Sequence, residues 1–140
     1  MKIKIKKLHP DAIIPKYAHS GDAGMDLFSL KEITLVPHYR IAIKTGISIE
    51  LPKGYVGLIW DKSGVALKQG IKAMAGVMDA GYRGEYKIVM VNLSSKNFKI
   101  NKGQKIAQLL IQKIERPEIE EEQSLSETSR GGGGFGSTGS

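Results

Sequence analysis

The chain has 140 residues, 41% hydrophobic and 25% charged, values that predict one globular domain and exclude wholesale disorder. It has no cysteine, which excludes disulfides, thiolate metal sites and cysteine nucleophiles together. Its net charge of +7 is unevenly placed: residues 1–114 hold 19 basic and 8 acidic side chains, whereas residues 115–127 hold six glutamates and one arginine.

A basic body suits a polyanionic partner, a nucleic acid or a phosphorylated metabolite, or else a lysine-rich solvated surface. Residues 2–6 alternate lysine and isoleucine with period two, as a half-buried or edge strand does. Those lysines interrupt the apolar stretch a signal peptide needs, and no apolar run nears the roughly 20 residues of a membrane span. A soluble, cytoplasmic protein is expected. Ile41, Ile43 and Thr45 share one face, and Ile47, Ile49 and Leu51 continue the alternation past Gly46, as in one long strand kinked at the glycine. Pro52-Lys53-Gly54 turns into an apolar strand over residues 55–60. Residues 63–69 offer the one helix, with Ser63 as cap and Gly70 ending it in the left-handed conformation. Residues 85–93 form a further strand closed by the turn Ser94-Ser95-Lys96-Asn97, and Asn101-Lys102-Gly103 turns into a last strand over 105–114. Many short strands with Gly/Pro turns predict an all-β sandwich or jelly roll.

After Pro117 the chain becomes acidic and serine-rich, then glycine-rich from Arg130 to Ser140. Composition predicts a tail without fixed structure. Phe135 between an arginine and a Ser-Thr pair is odd in a spacer, and a glycine-rich backbone beside Arg, Ser and Thr can wrap phosphates through its N–H groups. Gly131, Gly133 and Gly136 match GxGxxG formally, but no strand precedes and no helix follows. His9, His19 and His38 have no metal-ligand spacing, and Ser63 lacks a His-Asp partner.

Three loops place a carboxylate among glycines: Ala23-Gly24-Met25-Asp26-Leu27, Asp61-Lys62-Ser63-Gly64, and the run from Ala75 through Asp79 and Tyr82 to Glu85. Singly each reads as an Asx turn. In order, together with Gly103-Gln104-Lys105-Ile106-Ala107-Gln108 and the tail Arg130-Gly131-Gly132-Gly133-Gly134-Phe135-Gly136-Ser137-Thr138-Gly139, they resemble the five motifs of the homotrimeric dUTP pyrophosphatases (dUTPases).

The resemblance implies an all-β jelly roll or distorted β-barrel with one short helix, in a homotrimer whose active sites are shared between subunits. It divides the chain into a catalytic body (1–114), an acidic flexible linker (115–129) and a substrate-closing arm (130–140). It implies Mg2+-dependent hydrolysis of dUTP to dUMP and pyrophosphate, which keeps uracil out of DNA and supplies dUMP for thymidylate synthesis. By similarity, Asp79 holds the attacking water and the deoxyribose 3′-hydroxyl, and Gln108 orients that water. Tyr82 lies against the sugar and leaves no space for a ribose 2′-hydroxyl. Backbone from Ala73 through Gly76, Val77 and Met78 reads the uracil edge. Lys62, Ser63 and Gly64 hold phosphates at the helix start, and Lys87 joins the substrate-binding set. Arg130 pairs with the γ-phosphate, Phe135 covers the base, and Gly136, Ser137 and Thr138 close on the terminal oxygens. Asp26 acts at the subunit centre or reaches magnesium through water.

Two positions depart from the family pattern. Lys62 stands where arginine is usual, which keeps the charge but loses the planar bidentate fork. Met78 replaces a usual isoleucine or leucine, a packing change of similar volume. A related deaminase acting on dCTP needs a glutamate in the strand after the glycine loop, and residues 86–92 contain no acid. A non-catalytic binder has no use for the pair Asp79 and Gln108. A single-stranded nucleic-acid module needs more stacking platforms than one Trp and 6% aromatics supply. Neither membrane association nor direct nucleic-acid binding is expected.

Overall fold

The computed structural model describes residues 1–134. Eleven strands and one helix are present among them: β1 (Lys4–Lys7), β2 (Met25–Phe28), β3 (Ile33–Leu35), β4 (Arg40–Lys44), β5 (Ile47–Glu50), β6 (Tyr55–Asp61), α1 (Ser63–Gln69), β7 (Ile71–Met74), β8 (Val77–Asp79), β9 (Lys87–Asn92), β10 (Phe98–Ile100) and β11 (Lys105–Lys113). All pairings are antiparallel, in sheets ordered β2-β11-β6-β8, β4-β9-β7, β1-β5 and β3-β10. The all-β class with one short helix is as expected. The strands do not close into a barrel among the described residues, because the four sheets share no ladder.

Gly46 breaks the chain where one kinked strand was expected. Its φ of 72° turns the backbone, so β4 joins β9 while β5 joins β1. A side chain there would also crowd its neighbours: a Cβ would lie 3.0 Å from Ala12 and Leu30. Tyr86 ties the two halves, its carbonyl accepting from Thr45 Oγ1 and its N–H donating to Ile47 O.

Asp26 and Asp79, read from sequence as loop residues among glycines, lie instead on β2 and β8. Those segments are too short to announce themselves, and their edges are supplied from far along the chain by β11 and β6. The short strands β3, β7 and β10 went unread for the same reason.

Between the sheets lies one core. Leu27, Ile43, Ile47, Ile49, Ile71, Ile88, Met90, Ile100, Ile106 and Leu109 are all buried in it, each contributing about 1.5–3 kcal/mol relative to exposure. The period-two face read from residues 41–45 holds for Ile43 and Thr45 but not for Ile41, which stays exposed. Asn92, fully buried, donates to Leu35 O and Lys96 O and accepts from Ser94 N and Oγ, which pins the turn after β9. Beyond Lys113, the described residues form neither strand nor helix.

Candidate active site

The expected site residues fall into two groups, and the sheet β2-β11-β6-β8 carries members of both at different places. The first gathers where β11 runs between β2 and β6. Asp26 on β2 is 3% exposed and receives two ammonium groups: Lys62 Nζ at 2.5 Å on Oδ1 and Lys105 Nζ at 2.7 Å on Oδ2. The second approach lies off the hydrogen-bond direction, so Oδ2 is held by charge rather than by an aligned donor. Burial pushes the carboxyl up, but Lys105 and Lys62 outweigh it and hold Asp26 below the usual carboxylate range. Two cations on one carboxylate leave this corner with a net positive charge.

Gln108 faces Asp26 across the β11–β2 ladder and Trp60 across β11–β6. Its Nε2 donates to Asp61 O at 2.8 Å. Its Oε1 lies where a side chain at residue 24 would begin, 2.7 Å from a Cβ built on Gly24. Gly24 is therefore glycine for room, not for a turn.

Lys62 occupies the N-cap of α1, with φ −88° and ψ 124°, and its carbonyl accepts from Val65 and Ala66 N–H. Ser63, expected to cap the helix, is its first residue and makes no side-chain cap bond. The chain leaves β6 extended through Lys62, so the cap falls one residue earlier. In consequence the Ser63 hydroxyl and Gly64 are exposed, ahead of the first intrahelical bonds. Gly70 ends the helix at φ 67° as expected, donating to Ala66 O.

The second group follows α1. β7 and β8 are joined by Ala75 and Gly76, both at positive φ (59° and 104°), as a two-residue hairpin turn requires. Yet the two strands do not pair with each other. β7 pairs with β9 and β8 with β6, so the hairpin spreads across two sheets. Its tip rests on β6, where Gly76 O accepts from Ile59 N–H at 2.9 Å and a Cβ at Gly76 would meet Ile59 O at 2.7 Å. A groove of about 270 Å³ runs between them, lined by Trp60, Lys72, Ala73, Gly76 and Val77. Lys87 sits at the start of β9, opposite Lys44 and two residues from Val89, the partner of Met74.

Asp79 ends β8 with its carboxylate exposed. It lines an open cavity of about 660 Å³ with Lys53, Gly81, Arg83 and Arg116. A turn returns Tyr82 N–H to Asp79 O, and the Arg83 guanidinium braces it by donating to Ala80 O and Tyr82 O. The Tyr82 hydroxyl donates to Glu85 O, while its ring remains partly exposed, 6.1 Å from the buried ring of Tyr86.

The register keeps the two groups apart. Asp79 faces Val56 and Gln108 faces Trp60, four residues further along β6. At strand rise and spacing that is roughly 13 Å along β6 and roughly 10 Å across it, hence roughly 16 Å between the two backbones. A single water cannot touch both side chains within one copy of the chain. Arg130 lies in its own turn, with Nε donating to Gly133 O. Phe135, Gly136, Ser137 and Thr138 lie outside the described residues.

Sequence reading missed the roles of Gly24, Lys105 and the Asp61 carboxylate. All three stand inside the quoted motifs, but their partners come from other strands. Among the described residues no three His or acidic groups cluster as a metal cage, and no helix is long and apolar enough to cross a membrane. With both oxygens facing ammonium groups, Asp26 does not fit a direct metal ligand.

A protein-family model described as dUTPase matches residues 10–139. The chain is 51% identical to the deoxyuridine 5′-triphosphate nucleotidohydrolase of Clostridium novyi (strain NT), over 99% of each chain. In structure it is similar to a mutant Staphylococcus bacteriophage 80alpha dUTPase with dUpNHpp, at a TM-score of 0.93 and 31% identity over 99% of each chain. It is also similar to a mutant dUTPase from phage phi11 of S. aureus, described with a structural Mg(II) ion, at a TM-score of 0.85 and 29% identity over 91% of this chain and 100% of that one.

Proposed function

The chain belongs to the dUTPase family and is a dUTP diphosphatase, and from that premise we propose that its two groups of residues meet between subunits of a homotrimer. The observation that carries this is the separation of roughly 16 Å between Asp79 and Gln108 on one sheet. A water can touch both only if one copy supplies Asp79 and another supplies Gln108.

In such a site the exposed Asp79 carboxylate accepts a proton from water as its oxygen attacks the α-phosphorus. The bond from that phosphorus to the bridging oxygen breaks, and pyrophosphate leaves with the electron pair. Asp79 also accepts from the 3′-hydroxyl, Tyr82 closes the sugar face, and the Ala73 to Met78 backbone takes the uracil edge. From the neighbouring subunit, Gln108 aims the water. Lys62, Ser63 and Gly64 take phosphate oxygens, since an ammonium has three donors and can keep Asp26 while binding an anion. Lys87 adds a cation beside the hairpin. Residues 115–129 act as linker to an arm, 130–140, in which Arg130, Phe135, Gly136, Ser137 and Thr138 cover the substrate and exclude water.

On this reading magnesium would be chelated by the triphosphate and would neutralise its charge. In the cell, cytoplasmic by this reading, the reaction keeps uracil from DNA and supplies dUMP for thymidylate synthesis. Pyrophosphate release from dUTP, dCTP, dTTP and UTP, compared between wild type and Asp79→Asn, tests the assignment. Turnover confined to dUTP and lowered at least about 100-fold by the substitution is expected. Undiminished turnover by Asp79→Asn would remove the carboxylate from its role.

A further inference from the structure

We infer that Asp61 is a positioning residue for base discrimination, holding the uracil-reading hairpin at fixed width; this rests on the hairpin assignment above. Asp61 is the last residue of β6, and its carboxylate is used on both oxygens. Oδ1 accepts from the Ala73 backbone N–H at 2.5 Å, and Oδ2 from Lys72 Nζ at 2.6 Å. Ala73 lies on β7 facing Met90 of β9, so its N–H points away from that ladder toward β6. The β6–β8 ladder stops at Leu58, three residues short of Asp61, so at this end of β6 the Asp61 side chain rather than a strand partner takes the Ala73 N–H. The carboxylate fills the gap between the two sheets.

Beyond the β8–β6 ladder, the hairpin is thereby fastened to β6 at two further points. Gly76 O receives Ile59 N–H at the tip, and Ala73 N–H reaches Asp61 at the base. Between them lie the Ala73, Gly76 and Val77 backbone and the groove of about 270 Å³. Because β7 and β8 do not pair with each other, no ladder between them sets how far the hairpin opens; β8 is held by its ladder to β6, and the Asp61 bond draws the β7 arm to that same strand. A slot of fixed width rejects a base with an added methyl or an inverted donor pattern, and a slot that can widen rejects it less.

The backbone of Asp61 does separate work, since its carbonyl holds Gln108 Nε2. Side-chain substitution leaves that bond in place. The expected effect therefore falls on base discrimination and KM more than on kcat, which separates positioning of the hairpin from general loss of structure.

The test measures kcat and KM for dUTP, dTTP and dCTP on the full chain carrying Asp61→Ala, Asp61→Asn or Gly76→Ala. Asp61→Ala is expected to lower the ratio of kcat/KM for dUTP over dTTP and dCTP about tenfold or more, the worth of a charge-assisted hydrogen bond. Asp61→Asn, which keeps an oxygen for Ala73 N–H, is expected to hold the ratio within about twofold. Equal losses on all three nucleotides, with the ratio unchanged, overturn the proposal. Gly76→Ala distorts the hairpin without Asp61, so an unchanged ratio there removes the hairpin from base reading and takes the proposal with it. A changed ratio for Gly76→Ala alone removes only Asp61. Should Asp61→Ala not fold, amide exchange decides in the wild-type protein: Ala73 N–H is expected to be protected, and exchange at the rate of an open loop overturns the proposal.

Discussion

Complementation between two inactive variants follows from the register of one sheet. In the proposed mechanism Asp79→Asn removes the proton acceptor, and Gln108→Ala removes the group that aims the water. Because the two positions lie roughly 16 Å apart in one copy, the proposed site draws Asp79 and Gln108 from different copies. In a ring of three containing both variants, one junction always joins an intact Asp79 to an intact Gln108. Co-expression with two different tags, followed by purification on both, isolates the mixed rings. Their dUTP turnover is expected at about one third of wild type per ring, while each variant alone is inactive. If Asp79 and Gln108 served the same site from one chain, no junction would be whole and the mixed rings would be as inactive as their parents. That result would refute the composite site, as would full activity in a monomer at dilution.

Gly24→Ala places a methyl 2.7 Å from Gln108 Oε1, the free end of a flexible side chain. The fold is expected to survive with Tm within a few degrees, while kcat falls about tenfold or more because the amide is displaced; thermal melting and dUTP turnover check the two halves. Tyr86 is fully buried with a hydroxyl that meets no partner among the described residues, and burial pushes its pKa up to about 12. Tyr86→Phe removes that cost and is expected to raise stability by about 1 kcal/mol in a urea melt, a fall instead showing that the hydroxyl is bonded. Asp26 is held below the usual carboxylate range, so its contribution is present above about pH 4 and lost as pH falls through the depressed native value. Asp26→Asn is expected to cost about 2 kcal/mol at pH 7 and to flatten the acid limb of the stability curve measured by denaturation between pH 2 and 6.

What the sequence determined by itself is what depends on neighbours along the chain. The left-handed Gly70, the helix over 63–69, the turn after β9 and the strands around 55–60 and 105–114 follow from local φ preference and period-two patterning. The motif order was legible too, and with it the family. Tertiary structure decided whatever depends on pairing. Gly46 divides two strands because Ala12 and Leu30 crowd it and Tyr86 bridges the halves, contacts from elsewhere in the chain. Asp26 and Asp79 became strand residues because β11 and β6 offered them an edge. Lys105 and Lys62 share one carboxylate, and Asp61 holds Ala73, only because the start of β11 and the end of β6 are brought beside β2 and β7 by strand pairing. Hydrogen-bond register is a relation between strands, so no single stretch of residues records how far Asp79 lies from Gln108.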